Sequence, residues 1–163
     1  MQIDKTAIFL KDNLYSFLRK YVDLSDVEKE ILDSFMEEVV KNLAYDFSYN
    51  SNKYFTIKDE IFINLYNSLH LFKLLYALSN IAHKQSYSLL SDKLYIVNKI
   101  INGCDVYGGV ELPKIYHLDH PVGTVLGRAS YKNYFVSYQN CTVGSNKNIF
   151  PSTHYEILIL SKS

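Results

Sequence analysis

The residues of this chain that could carry out proton-transfer chemistry are two aspartates and one histidine in its second half. Asp119 and His120 are adjacent, and Asp105 lies fifteen residues upstream of His120. A histidine can remove the proton of a hydroxyl as that oxygen attacks, because the imidazole pKa lies near neutral pH. A carboxylate at the other ring nitrogen fixes the tautomer and stabilises the imidazolium. These three residues therefore indicate a general base that activates a weak nucleophile such as a hydroxyl.

The segment that holds these residues repeats every six positions. Its aliphatic or small positions are Val106, Leu112, Leu118, Thr124 and Ser130. A helix repeats near 3.6 residues and a strand near 2, so this spacing favours a parallel β-helix, in which each flat face takes six residues and points one inward. Leu118 would then face inward, and its neighbour Asp119 would be exposed for binding.

The length of a β-helix coil predicts how the two catalytic candidates are arranged. Fifteen residues is slightly less than one coil, so we expect Asp105 and His120 to lie on adjacent coils near one corner. Neighbouring strands are about 4.8 Å apart, which would bring the two side chains within hydrogen-bond reach. The sequence thus predicts a dyad in which Asp105 orients His120.

The same segment resembles a known enzyme family. The resemblance rests on C-D-V-Y (104–107), L-D-H-P-V-G-T-V-L-G (118–127) and Y-Q-N-C-T-V-G (138–144), and it extends upstream to L-S-N-I-A-H-K-Q (78–85). In order and spacing, residues 70–148 resemble the serine acetyltransferases of the left-handed β-helix (hexapeptide-repeat) acyltransferase family. The D-H-x-x-G-x-x-x-G element is fairly specific for that family, whereas the six-residue repeat alone is not.

The resemblance implies an acetyl-CoA-dependent O-acetyltransferase that acts on the hydroxyl of L-serine, a step of cysteine biosynthesis. It implies that His120 is the general base, that Asp105 orients it, and that Asp119 contacts the amino-acid acceptor. Acetyl-CoA would be the co-substrate, and no metal is expected; no coenzyme-binding residues are assigned. Because the family's active sites lie between neighbouring β-helices, the resemblance also implies a homotrimer or a dimer of trimers.

Two departures from the family pattern lie near the predicted dyad. Tyr107 stands where serine acetyltransferases usually have histidine followed by proline, and Gly127-Arg128 replaces their glycine-glutamate. A different acceptor would tolerate such changes, so a sugar O-acetyltransferase of surface polysaccharide synthesis is an alternative. Asp119 favours an acceptor that carries an amino group, as serine does.

Other polar residues have open interpretations. Tyr138 and Gln139 lie one coil after His120 and could line the acceptor pocket or form a coil corner. His117 is expected to point away from the direction of His120, and it could line the pocket or face solvent. His154 has surroundings, P-S-T-H-Y-E, that do not match the family's second active-site histidine, so it is given no role. His70 and His83 are expected to be packed or surface residues.

The last residues predict a shortened β-helix. The segment S-T-H-Y-E-I-L-I-L-S-K-S contains no glycine and no six-residue repeat, whereas the family continues with further coils that carry much of the acetyl-CoA groove. We therefore expect a β-helix truncated at its C-terminus, with about three coils. A catalytically inactive remnant or binding module is the second alternative.

The first half of the chain must position this segment, and its pattern is helical. All six glycines and all three prolines lie at or after Gly103. Helices are predicted over about residues 4–21, from Ser25, from Thr56 to about Lys84, and over about 89–102; Ser25 and Thr56 each begin a capping-box pattern. The predicted fold class is α+β, an α-helical bundle (1–103) followed by a short left-handed parallel β-helix (104–163).

Composition excludes several classes of function. The 17 basic and 17 acidic residues give a net charge of zero without a basic patch, so nucleic acid is not an expected partner. The longest apolar stretch is broken by Lys73 and is too short to span a bilayer, and no signal peptide is recognisable, so a cytoplasmic protein without a membrane partner is expected. Cys104 and Cys141 lack metal spacing and do not suggest a disulfide framework, and Cys141 is expected to pack as a small inward residue.

Overall fold

The computed structural model describes residues 3–49, 56–57, 60–61 and 63–144, with side chains over 10–49 and 63–144. Among these residues four helices precede four short parallel strands, and a short antiparallel pair of strands lies between the second and third helices. The helices are α1 (Ile3–Leu18), α2 (Asp26–Ser48), α3 (Ser68–Lys84) and α4 (Ser88–Asn102), and the strands are β1 (Thr56–Ile57), β2 (Glu60–Ile61), β3 (Tyr116–Leu118), β4 (Val125–Leu126), β5 (Phe135–Ser137) and β6 (Thr142–Val143). The predictions about His154 and the last coil fall outside the described residues.

Capping residues fix two of the predicted helix ends. The backbone N–H of Glu28 donates to the Ser25 hydroxyl at 3.2 Å, and the backbone N–H of Ser25 donates to the Glu28 carboxylate at 2.8 Å. This capping box begins α2 as predicted, because it satisfies N–H groups that the first turn leaves without partners. Helix α4 ends at Asn102, where Gly103 takes a left-handed conformation with φ of 61°, as the sequence also predicts.

Helix α3 begins at Ser68, and the predicted start at Thr56 is wrong. Thr56 and Ile57 form β1, which pairs antiparallel with β2. The side chain of Asn67 accepts hydrogen bonds from the backbone N–H groups of Leu69 and His70 and so caps the helix. β-branched residues such as Thr56 and Ile57 favour extended backbone, and this preference outweighs the capping-box pattern read from the sequence.

Helix α3 is shared by two hydrophobic cores. One of its faces packs against the other helices, through residues that include Leu71, Leu74, Leu75 and Leu78. Its Phe72 and Tyr76 belong to a second core with Cys104, Val106, Val110, Tyr116, Leu118, Leu126 and Val143. The apolar residues on more than one face of this helix predict such a central position. Helix α3 therefore fixes the strand region relative to the helices.

Strands β3 to β6 pair in parallel with segments much further along the chain. Strand β3 pairs with β5, with Tyr116 beside Phe135, and β4 pairs with β6, with Val125 beside Thr142. Asp105 forms a parallel bridge with Val125. The chain thus returns alongside itself after 19, 17 and 20 residues at these three places. Helices followed by short parallel strands confirm the predicted order of elements.

The six-residue pattern of burial holds for the first part of the repeat and then shifts by one residue. Val106, Leu118 and Thr124 are buried as predicted, but Ser130 is exposed. Tyr131 packs against the second core instead, and burial resumes six and twelve residues later at Ser137 and Val143. The prediction of Ser130 as an inward position is therefore wrong. Cys141, which lies off the shifted pattern, is only partly buried.

The cysteines, the helix lengths and the end of α1 complete the description of the fold. Cys104 and Cys141 are both free thiols. Within the described helices, none combines the length and the apolar character needed to cross a bilayer. Helix α1 ends at Leu18, a few residues before the predicted end near 21.

Burial of His70 predicts a loss of stability in acid. The ring is fully buried beside Phe47, with ring centroids 4.7 Å apart, and its Nδ1 accepts a hydrogen bond from the backbone N–H of Asn64 at 3.1 Å. Burial, and then the nearby charge of Lys73, lowers its pKa from 6.5 to about 4. Below pH 6.5 the unfolded chain therefore binds a proton that the folded chain does not, and the free energy of unfolding should fall by about 3 kcal/mol between pH 6.5 and pH 4.

The measurement for this prediction is urea unfolding of the parent and of His70→Asn at both pH values. Asparagine offers an acceptor close to the position of Nδ1 but does not titrate. We expect the variant to lose less stability than the parent over this pH interval. An equal loss in both proteins would show that His70 does not contribute to it.

Candidate active site

The backbone at the end of β3 turns Asp119 and His120 outward. Leu118 is buried with 1 % exposure, and the Asp119 N–H donates to the carbonyl of Ser137 at 2.8 Å, which extends the pairing with β5 by one residue. His120 then adopts a left-handed conformation with φ of 48°, and its side chain is 87 % exposed. Gly123, with φ of 75°, completes the turn. Alternation next to the inward Leu118 places Asp119 outside the core, as the sequence predicts, whereas His120 is exposed because of the left-handed turn.

Two imidazoles approach the same carboxylate oxygen. Oδ1 of Asp119 lies 3.7 Å from Nε2 of His120 and 4.0 Å from Nε2 of His117. His117 therefore does not point away from His120, which corrects the expectation from sequence. Both distances are longer than a hydrogen bond, but a protonated imidazole at either position would be attracted to the carboxylate. This arrangement can stabilise an imidazolium that forms during proton transfer.

His117 differs from His120 in its surroundings. Its side chain is 27 % exposed, on a strand that packs against the helices. Burial, and then the charge of Lys73, lowers the pKa of His117, although Asp119 and Asp46 act in the opposite direction. His117 is accordingly a neutral ring at neutral pH. The sequence offered no signal that His117 lies near the Asp119 carboxylate, because the family pattern has no histidine at this position.

Asp105 does not contact His120 in this structure. Its carboxylate accepts hydrogen bonds from the Tyr95 hydroxyl at 2.7 Å and from Nζ of Lys99 at 2.6 Å, both on α4. The predicted Asp105–His120 contact is therefore wrong for this arrangement. The reason is the distance along the chain between paired segments: Asp105 stacks on Val125, five residues past His120, because the chain returns alongside itself here after 20 residues rather than slightly more than fifteen.

The partners of Asp105 also determine its charge. Partial burial acts to raise the pKa of the carboxyl, but the hydrogen bonds from Lys99 and Tyr95 outweigh burial and hold the pKa below its usual value. Asp105 is thus ionised at neutral pH and paired with a cation. The spacing of Lys99, six residues before Asp105 across a helix end, could not reveal this pair from sequence.

Tyr138 and Gln139 lie directly after β5, where the chain turns toward β6. Both residues are exposed, and their segment follows Ser137, the partner of Asp119. The Tyr138 carbonyl accepts a hydrogen bond from the Thr124 hydroxyl at 2.7 Å, which joins this corner to the turn after His120. The backbone therefore forms a turn at this point, and both side chains face solvent.

The family-like segment 78–85 holds the loop between Asp105 and β3. Asn80 Nδ2 donates to the carbonyl of Gly108 at 2.7 Å, and the rings of His83 and Tyr107 lie 5.3 Å apart, edge to face. Tyr76 Oη donates to the carbonyl of Val110 at 2.6 Å. His83 therefore has a packing role, in agreement with the sequence interpretation. Within the described residues, no cluster of three or more His, Cys, Asp or Glu side chains is placed to hold a metal ion.

Sequence reasoning missed a buried ion pair beneath the site. Lys73 is 1 % exposed and Asp46 is 5 % exposed, and the two side chains are in direct contact. Nζ of Lys73 donates to the carbonyl of Tyr116 at 2.5 Å, and the Tyr116 N–H donates to Oδ1 of Asp46 at 3.2 Å. The only sequence signal was a single lysine in an apolar stretch of α3.

Comparison with known proteins identifies the fold. No family model and no curated protein matches this sequence. Solved structures do match, and they include a truncated serine acetyltransferase apoenzyme (TM-score 0.57, 18 % identity, 91 % of this chain and 74 % of that one). Others are the serine acetyltransferase of Neisseria gonorrhoeae (TM-score 0.59, 16 % identity, 84 % and 56 %) and isoform 3 from Entamoeba histolytica in complex with cysteine (TM-score 0.55, 14 % identity, 89 % and 51 %). The chain therefore shares the serine acetyltransferase fold over most of its length, and the resemblance inferred from sequence is confirmed at the level of fold.

Proposed function

We propose that this protein is an acetyl-CoA-dependent O-acyltransferase of the serine acetyltransferase type, with L-serine as its acceptor. The observation that carries the proposal is the exposed pair Asp119-His120 at the end of β3, on a chain that shares the fold of the serine acetyltransferases. Structures with this fold include a serine acetyltransferase in complex with CoA and the Neisseria gonorrhoeae enzyme in complex with serine. We extend these ligands to the present chain as co-substrate and acceptor.

His120 is the proposed general base. Its Nε2 takes the hydroxyl proton as the acceptor oxygen forms a bond to the thioester carbonyl carbon. When the tetrahedral intermediate collapses, the carbon–sulfur bond breaks, and the imidazolium returns the proton to the departing thiolate. Asp119, whose Oδ1 lies 3.7 Å from Nε2, stabilises the transient imidazolium and is also placed to bind the amino group of serine.

Asp105 is the proposed orienting carboxylate, and this role requires a change of partners. In the described structure Lys99 and Tyr95 occupy its carboxylate, so Asp105 would have to leave them to reach His120. Tyr138 and Gln139 are proposed to line the acceptor pocket, which is supported by their exposure and by the hydrogen bond from Asp119 N–H to the carbonyl of the preceding residue, Ser137.

We further propose that the strand region is a left-handed β-helix (104–163) beside a helical domain (1–103), and that the protein is a homotrimer or a dimer of trimers. Leu89, Ile96 and Ile100 are exposed on α4 at helical spacing, at 66 %, 42 % and 61 %. Val122, with 64 % exposure, lies against Gly103 at the end of the same helix. Such an apolar face supports self-association. A place in cysteine biosynthesis in the cytoplasm follows from the proposed reaction.

A sugar hydroxyl is the alternative acceptor, and the identity of Tyr107 favours it. This residue replaces the histidine of the serine enzymes, and its ring packs edge to face between His83 and Tyr95, with ring centroids 5.3 and 5.5 Å away. The Tyr107 ring is therefore part of the aromatic packing beside Asp105.

Release of free CoA from acetyl-CoA tests the proposal. Purified protein is incubated with acetyl-CoA alone, with L-serine, and with a panel of monosaccharides, and the free thiol is measured. Release that requires serine supports the serine reaction, and release that requires a sugar supports the alternative. No release with any acceptor, together with no saturable acetyl-CoA binding by calorimetry, would overturn the assignment as an acyltransferase.

A further inference from the structure

The buried pair of Asp46 and Lys73 connects three elements below the proposed site. Asp46 lies near the end of α2, Lys73 lies in the middle of α3, and both bond to the backbone of Tyr116 at the start of β3. Lys73 Nζ also lies 4.2 Å from the centroid of the Tyr116 ring. The pair therefore takes up both backbone polar groups of one strand residue.

Stability alone does not account for such a pair. Removing two charges from water is expensive, and apolar residues of similar volume are often as stable or more stable. Burial raises the pKa of Asp46 and lowers the pKa of Lys73, in each case against the opposing effect of the partner. Both shifts show that burial disfavours the charges. What the pair supplies is a defined position for β3. If the strand were displaced by one residue, Asp46 and Lys73 would both lose their hydrogen bonds to the backbone of Tyr116.

The strand held in this way leads directly into the proposed site. His117 follows Tyr116, and Asp119 and His120 come three and four residues after it. Strand β3 is only three residues long, so its hydrogen bonds to β5 give little positional control by themselves. Tyr76 on α3 adds an edge-to-face contact with the Tyr116 ring, with centroids 6.2 Å apart. The helices thus control where the site residues lie.

We propose that Asp46 and Lys73 are positioning residues of the acyl-transfer site, which fix β3 through both backbone polar groups of Tyr116 and thereby place Asp119 and His120. This inference rests on the proposed function for its catalytic consequence, but not for its structural one. Neither residue touches a reacting atom. Both act through the backbone of β3, which leads into Asp119 and the proposed base, His120.

Two matched double variants test the proposal. Asp46→Leu with Lys73→Met fills a similar volume but removes both hydrogen bonds to Tyr116. Asp46→Asn with Lys73→Gln removes the charges but keeps an acceptor for the Tyr116 N–H and a donor for its carbonyl. We expect the Leu/Met protein to fold with kcat reduced by roughly tenfold to a hundredfold and an unchanged KM for acetyl-CoA, since small misplacements of catalytic groups have effects of this order. The Asn/Gln protein should keep a kcat close to that of the parent.

A second measurement does not depend on activity. In two-dimensional NMR spectra, the Asp119 amide and His120 imidazole signals should move in the Leu/Met protein and stay in place in the Asn/Gln protein. Parental kcat and unmoved signals in a folded Leu/Met protein would overturn the proposal. A folded Asn/Gln protein with reduced kcat but unmoved signals would also overturn it, because the pair would then act through its charges and not through the position of β3; this variant decides the matter if the Leu/Met protein does not fold.

These two measurements also separate this inference from the proposed function. If the parent protein itself releases no CoA with any acceptor, the proposed function fails while the NMR result still decides the positioning role. If the parent is active and the Leu/Met protein is unaffected in both measurements, the positioning role fails and the proposed function stands.

Discussion

Replacing His120 with asparagine is expected to reduce kcat for acetyl transfer by about 10²–10⁴-fold, because it removes the general base. Asparagine suits this position because His120 has a φ of 48°, a left-handed conformation that asparagine tolerates better than alanine does. The variant should therefore keep the turn after β3 while it loses the group that accepts a proton. CoA release under saturating acetyl-CoA and acceptor gives kcat, and thermal unfolding monitors the fold.

A matched control for this variant is Lys132→Ala. Lys132 is exposed on the segment between β4 and β5 and is not part of the proposed site. We expect parental kcat in the control and an unchanged KM for acetyl-CoA in the His120 variant. If His120→Asn turned over as fast as the parent, the assignment of His120 as the base would be wrong.

Truncation of Asp46 to alanine is expected to reduce the free energy of unfolding by about 3–5 kcal/mol, the range typical of breaking a buried ion pair. The variant leaves Lys73, which is 1 % exposed, without its counter-charge. It also removes the acceptor for the Tyr116 N–H. Urea unfolding at neutral pH, followed by circular dichroism of the helices, measures the change.

Glu37→Ala is the control for the stability effect of Asp46→Ala. Glu37 pairs with Lys41 one turn along α2 at 2.5 Å, but both side chains are more than half exposed. Solvent weakens such a pair, so we expect a loss of about 0.3–0.5 kcal/mol. Equal losses in the two variants would mean that the Asp46–Lys73 pair is not shielded from solvent in the way that the structure describes.

Local patterns predicted the helices well wherever a cap was decisive. Ser25 and Glu28 fix the start of α2, and Gly103 ends α4, because each satisfies backbone groups within a few residues. The same pattern at Thr56 was misleading. There the chain pairs as β1 and β2, in keeping with the β-branched Thr56 and Ile57, and Asn67 provides the cap of α3.

The candidate site was predicted in part. The outward position of Asp119 follows from strand alternation next to an inward Leu118, which depends only on neighbouring residues, whereas His120 is exposed because of the left-handed turn after the strand. The six-residue repeat also predicted burial at Val106 and Thr124, but it could not show that the pattern shifts by one residue before Tyr131. That shift depends on how a large aromatic side chain fits the core.

Sequence by itself therefore determined the order of helices and parallel strands, the resemblance to the serine acetyltransferases, and the outward position of Asp119. Only the tertiary structure decided which residues meet. The parallel pairing of the chain brings Asp105 beside Val125, the carboxylate of Asp105 bonds to Lys99, and the packing of α2 against α3 joins Asp46 to Lys73. The physical reason is that caps and alternation act over a few residues, whereas ion pairs between separate elements depend on how those elements pack in three dimensions.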